Sequence, residues 1–194
     1  LIGRNLFDVE HDEWRPMRRA LQPLFTKKNV ASFAGHMAQA AETAARRWAD
    51  AGEVDLDAEC RMLTLRALGR SVLGVDLDES AEQIAGSLNT ALAYIADRAS
   101  NPMRAPFWLP TPRRRRAQRA AGVLRELTGN ILRDCRRDAT RNAPLVRALM
   151  EVADPQVGKR LSDNEVRDPL IVFLAAGHDT TATMLTYALW QLGR

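Results

Sequence analysis

The sequence predicts an all-α protein, and three observations carry that prediction. Its 194 residues are rich in Ala, Leu and Arg and contain only 6% aromatics, a composition that favours helix over sheet. Apolar residues recur at three- and four-residue steps, as in Ile84, Leu88, Leu92 and Ile95, which is the periodicity of an amphipathic helix. Helix-start signals punctuate the chain: Thr111 before Pro112 and Ser162 three residues before Glu165 are a cap followed by proline and a capping box.

The remaining composition excludes several classes. The formal net charge of +4 is too mild to argue by itself for nucleic acid. The two cysteines, Cys60 and Cys135, form no C-x-x-C pair, so neither a zinc site nor a disulfide framework is expected, and a reduced cytoplasmic setting is the default. No apolar run approaches about 18 residues, and no secretory signal opens the chain. The first residue is Leu, and the last, Arg194, follows closely on an unfinished helical pattern. We therefore expect residues 1–194 to be a single, incomplete domain cut from a longer protein.

The elements follow in order. A first helix begins near His11, with Asp12 as its cap and Pro16 tolerated only within the first turn. Trp14 and Arg18 are four apart and share a face. Either an indole N–H and a guanidinium grip an anion there, or a packed Trp is covered by a surface Arg. Asn29 is expected to cap a helix running to about Ala51, with Phe33, Met37, Ala41, Ala44 and Trp48 as its apolar stripe. His36 on that helix reads as a surface or core residue rather than a ligand. Asp55 or Asp57 starts the next helix, through about Leu73, with Gly74 ending it and Cys60 as a small core residue. Asp78, Glu79, Ser80 and Glu82 load the start of another, which reaches about Ala99.

Pro102 and the Pro106-to-Pro110 segment then break regularity, as a substrate-access loop or a packed linker. Thr111 and Pro112 open a helix to about Asp138. Its Arg113 to Arg116 run lacks interleaved aromatics for base stacking, so a solvated face is favoured over a nucleic-acid patch. Pro144 to Val152 is a short helix, Asp154 to Arg160 a turn, and Ser162 to Glu165 the start of the last and most informative helix.

That helix departs from its own pattern. An apolar run from Leu170 to Ala176 gives way to Gly177, His178, Asp179, Thr180 and Thr181 before apolar residues resume. Glycine costs about 1 kcal/mol against Ala inside a helix, and a carboxylate in apolar surroundings costs more unless paired. Such penalties at one place point to binding or chemistry, or else to a kinked core helix with a satisfied Asp. Ala176, Gly177 and Thr180 are three or four apart and share a face, so a flat ligand could approach the backbone above the two small residues. Thr180 bonding one turn back would loosen the helix. Asp179, about 100° round, makes with it an acid–alcohol pair suited to proton delivery. Pro169 is expected to bend the helix ahead of the site.

Ala176-Gly177-His178-Asp179-Thr180-Thr181 resembles the A-G-x-D/E-T-T motif on the long central helix of cytochrome P-450 haem-thiolate monooxygenases. Trp14-Arg15-Pro16-Met17-Arg18-Arg19 with the downstream Phe25 resembles helix C of the same family. The two motifs lie about 160 residues apart, in the family's order. The resemblance implies the central helical part of that fold, helices C to I, with a haem cofactor. By it, Asp179 is the proton-managing acid and Thr180 the alcohol. Trp14 and Arg18 bind a haem propionate, His11 reaches a propionate, and Ala176 and Gly177 lie over the haem face. Arg15 and Arg19 would face an electron donor, a reductase or ferredoxin, and Phe107, Phe173, His178 and Met184 would line a pocket for an apolar organic substrate and O2. The family's Glu-x-x-Arg pair, its Phe-x-x-Gly-x-x-x-Cys ligand loop and most of its β-rich lobe have no counterpart in this sequence. Cys135, in Arg-Asp-Cys-Arg-Arg, does not match the iron ligand, so the chain alone is expected to be inactive. The alternative is an all-helical ligand-binding transcriptional regulator, which needs an N-terminal helix-turn-helix that the sequence does not show.

Overall fold

In the computed structural model, residues 9–101, 109–152 and 160–194 are described. Phe107, most of the Pro-rich connector and the turn from Asp154 lie outside them. Among the described residues the structure is helical and contains no strand. Eight helices follow one another: α1 (His11–Leu21), α2 (Lys27–Ser32), α3 (Ala34–Ala49), α4 (Leu56–Leu68), α5 (Ala81–Ser100), α6 (Pro112–Arg137), α7 (Pro144–Glu151) and α8 (Asp163–Leu192).

Local chemistry explains most boundaries. The Thr111 hydroxyl accepts from the Arg114 N–H, and Pro112 takes the first helical position of α6. Ser162 and Glu165 form the reciprocal capping box of α8, satisfying two donors that a helix start otherwise leaves unpaired. Asp55, not Asp57, caps α4 through the Ala58 N–H. Beyond Leu68 the chain widens into a π turn, Gly69–Leu73, and closes at Gly74 with φ of 65°, where only glycine avoids a Cβ penalty.

Two expected starts are corrected. Asp12 does not cap α1; the cap position is Glu10, with no side-chain cap bond. Asn29 does not cap a long helix either. Thr26 caps the short α2, and the Asn29 amide donates to the Pro23 carbonyl at 2.7 Å. α3 then starts only after Phe33.

The core lies where α8 meets α4, α6 and α7, with α5 packed on α6. Leu65, Leu124, Ile131, Leu149, Leu170 and Leu174 are buried together there. Three members of the expected stripes stand outside it: Met37, Ala41 and Ile95 are exposed. Trp48 is half-buried because its indole N–H reaches across to Glu59 at 2.8 Å. α8 runs unbroken through Pro169, which is itself buried. Its first half is enclosed and its second half opens: Met184 is 76% exposed and Tyr187 64%. That transition falls at the Ala176-to-Thr181 motif.

Candidate functional site

The motif turn of α8 is set by hydroxyls that bond backbone carbonyls. Thr180 Oγ1 donates to the Ala176 carbonyl at 2.7 Å, Thr183 Oγ1 to the Asp179 carbonyl at 2.9 Å and Thr186 Oγ1 to the Ala182 carbonyl at 2.9 Å. Back-bonding of this kind loosens and bends a helix. One further donor comes from outside α8: the buried Thr64 of α4 donates to the His178 carbonyl at 3.2 Å.

Asp179 and Thr180 turn to different partners. Ala176 and Thr180 are exposed on one face. The Asp179 carboxylate instead meets α4, where it accepts from Arg61 Nη1. The same guanidinium holds Asp57 at 2.8 Å through Nε. Both carboxylates push the Arg61 pKa further up, Asp57 most strongly. Arg61 is well enclosed, its side chain 19% exposed against 44% for Asp179. It also lines a groove of about 740 Å³ between α3, α4 and α5, together with Arg47, Glu59, Arg66 and Glu82. The acid is therefore connected through one guanidinium to the groove that α3, α4 and α5 line.

Gly177 and His178 face α4 rather than the open side. A Cβ on Gly177 would lie 3.2 Å from both methyls of Leu68, so this glycine lets α8 approach α4. A common open face over both small residues holds for Ala176 and is corrected for Gly177. His178 is fully buried and neither ring nitrogen has a hydrogen-bond partner. Burial lowers its pKa, and the neighbouring Arg61 cation adds to the effect. The ring is thus neutral and packed between helices, and the expectation that it lines a substrate pocket is corrected. Met184 is exposed on α8, while Phe173 stacks on Phe25 with centroids 6.2 Å apart.

That stacking docks the segment after α1 one turn ahead of Ala176. On α1 itself Trp14 is half-buried and Arg18 exposed, and His11 stacks against the Trp14 ring at 6.0 Å. The three lie within two turns of one helix, with an indole N–H and a guanidinium available to an anion. Arg61 and Thr64 were not found from the sequence. Their signal was a cation and a hydroxyl on the stripe of α4, among Cys60, Leu65 and Leu68, where an apolar residue is the ordinary choice.

The cytochrome P450 family model matches residues 2–194. This chain belongs to the cytochrome P450 family. It is 29% identical over 194 residues to the cyclooctat-9-en-7-ol 5-monooxygenase of Streptomyces melanosporofaciens, covering all of this chain and 42% of that protein. It is 27% identical over 195 residues to the pentalenene oxygenase of Streptomyces avermitilis, again covering all of this chain and 43% of the relative. A crystal structure of a cytochrome P450 superposes with a TM-score of 0.76 at 22% identity, over 97% of this chain and 45% of the other, and so shares the fold. The chain thus spans less than half the length of the curated relatives it matches. Nothing in these likenesses favours the helical-regulator alternative.

Haem is the cofactor of the P450 family, and the donor set tests its fit here. Ala176 and Thr180 give an exposed, small-residue turn that a flat ring can approach. Trp14 and Arg18 offer donors to a carboxylate. Neither cysteine can supply an axial thiolate from its present position. Both are buried, and burial raises both thiol pKa values. The described residues of this P450 chain thus include an exposed small-residue turn and two N–H donors of the kind a haem calls for, and no cysteine placed as its iron ligand. No helix among them is long and apolar enough to cross a membrane.

Proposed function

We propose that the protein carrying this chain is a haem-dependent monooxygenase that inserts one oxygen atom of O2 into an apolar organic substrate. Electrons come from a reductase or ferredoxin, and Arg15 and Arg19 belong to the surface that meets it. The observation that carries this reading is the hydroxyl-bonded motif turn of α8. An exposed Ala176 and Thr180 stand there beside an acid tied through Arg61 to the groove between α3, α4 and α5. Haem, when bound, supplies the iron centre at which dioxygen is reduced. Trp14 and Arg18 hold a propionate by paired N–H donors, with His11 supporting the indole. Ala176 gives the ring room, and Gly177 keeps α8 seated against α4.

The two acid–alcohol residues divide the work. Asp179 receives protons from the groove side when its carboxylate exchanges Arg61 for water. Thr180 Oγ1 donates its one proton to the Ala176 carbonyl at 2.7 Å; its lone pairs accept a hydrogen bond on the open face, and it passes a proton there when the hydroxyl rotates off that carbonyl. The name of the first relative, a cyclooctat-9-en-7-ol monooxygenase, supports an apolar substrate class for this chain. Cys60 and Cys135, both enclosed, are not the residues that ligate the iron.

The test is made in the haem-loaded enzyme. Thr180→Ala diverts electrons from product while substrate binding persists, and Asp179→Asn slows turnover by about a hundredfold or more. Arg18→Ala weakens haem retention on gel filtration. Wild-type coupling and turnover in both α8 variants would remove the proposed roles.

A further inference from the structure

We propose that Thr64 is a positioning residue for the acid–alcohol pair, acting from α4 on the backbone of α8. The inference rests on the reading of Asp179 and Thr180 given above and adds a residue to it. Thr64 is 5% exposed, and its hydroxyl lies 3.0 Å from the Cys60 carbonyl, 3.0 Å from the Arg61 carbonyl and 3.2 Å from the His178 carbonyl. A hydroxyl has one proton. The two α4 carbonyls offer it local partners at shorter range, yet its side chain is also aimed across the helix crossing. In an α-helix the His178 carbonyl also accepts the Ala182 N–H. A second donor drawn from another helix weakens that bond and pulls the peptide between His178 and Asp179 toward α4.

The placement matters because of what flanks it. Arg61, one turn before Thr64 on α4, holds the Asp179 side chain. Thr64 holds the peptide that precedes Asp179. Side chain and backbone of one acid are thus fixed by two residues of one helix face. Within α8, Thr180 and Thr183 draw on the Ala176 and Asp179 carbonyls. Those donors belong to the same helix and move with it. Among the described residues, Thr64 is the side chain from a separate element that reaches a backbone carbonyl of this turn. Gly177 sets the helix separation at which a 3.2 Å bond forms.

Two substitutions separate this role from packing. Thr64→Val keeps the shape and removes the hydroxyl, while Thr64→Ser keeps the hydroxyl and removes the methyl. Amide hydrogen exchange is measured on the protein without turnover. In Thr64→Val the Ala182 amide regains an unshared acceptor, and its exchange slows by about two- to tenfold; in Thr64→Ser it stays at the wild-type rate. In the haem-loaded enzyme Thr64→Val lowers product formed per electron at unchanged substrate affinity, and Thr64→Ser restores it. Faster or unchanged Ala182 exchange in the Val variant, or equal behaviour of the two variants, means packing alone and overturns the proposal. Thr180→Ala is run alongside. Loss of coupling there with none in Thr64→Val refutes Thr64 and leaves the site reading standing. Intact coupling in Thr180→Ala refutes the site reading itself.

Discussion

Gly177→Ala tests whether this glycine faces a ligand or a helix. A methyl there lies 3.2 Å from Leu68 Cδ1 and Cδ2, about 0.2 Å inside the tight limit of ordinary contact. Alanine relieves about 1 kcal/mol of helix-propensity cost. Overpacking costs about 1–3 kcal/mol, at the low end here because Leu68 is half-buried and can turn. The balance is a change between zero and about 2 kcal/mol of destabilisation. Gly86 in α5 and Gly122 in α6 supply the reference, since a Cβ at either meets nothing within 4 Å. Alanine at those positions stabilises by about 1 kcal/mol. Denaturant unfolding of the three variants reads the difference. In heat unfolding a kcal/mol is about 2–4 °C for a chain of this size. Adding Leu68→Ala to Gly177→Ala removes the clash, so the double variant loses less than the two single losses combined. If Gly177→Ala stabilised as much as Gly86→Ala and Gly122→Ala, the packing role would be refuted, and Gly177 would return to the open face of the motif.

Further outcomes follow from other positions. Gly74→Ala forces a Cβ to 2.3 Å from the Asn142 carbonyl oxygen at φ of 65°. Backbone cannot yield as Leu68 can, so unfolding free energy falls by at least about 3 kcal/mol; a loss under about 1 kcal/mol in urea unfolding would show that the turn rearranges freely. His178 has a folded pKa below its ordinary 6.5, so the unfolded chain binds the extra proton first. Its stability is fully present above about pH 6.5 and is lost as pH falls from there through the folded value, at up to about 1.4 kcal/mol per pH unit. The charged groups beside it are Arg61, Asp57 and Asp179. His178→Leu flattens this acid limb and removes two unpartnered nitrogens; an unchanged limb would assign the pH dependence elsewhere.

The helices, and the polar interruption of α8, were legible in the sequence. Composition and three-to-four spacing marked the helices, because burying an apolar stripe is local arithmetic along one chain. Thr111, Ser162 and Glu165 named their own caps, since a cap bond joins residues three apart, whereas the sequence left Asp55 and Asp57 open for α4 and misplaced the caps at Asp12 and Asn29. The acid and alcohol of α8 stood out because each is costly in an apolar helix. What one strand of sequence could not settle was which way each residue looks. His178 and Gly177 read as site residues by adjacency, yet α4 claims both, because helix crossing is decided by residues more than a hundred positions away. Arg61 and Thr64 are invisible for the same reason: a cation and a hydroxyl on an apolar stripe acquire meaning only when Asp179 and the His178 carbonyl arrive opposite them. Sequence determined the helices and singled out Asp179 and Thr180, the pair proposed here as reactive. Tertiary packing alone decided that the acid belongs to α4 and the alcohol to the open face, since the free energy of that choice lies in contacts between helices rather than within them.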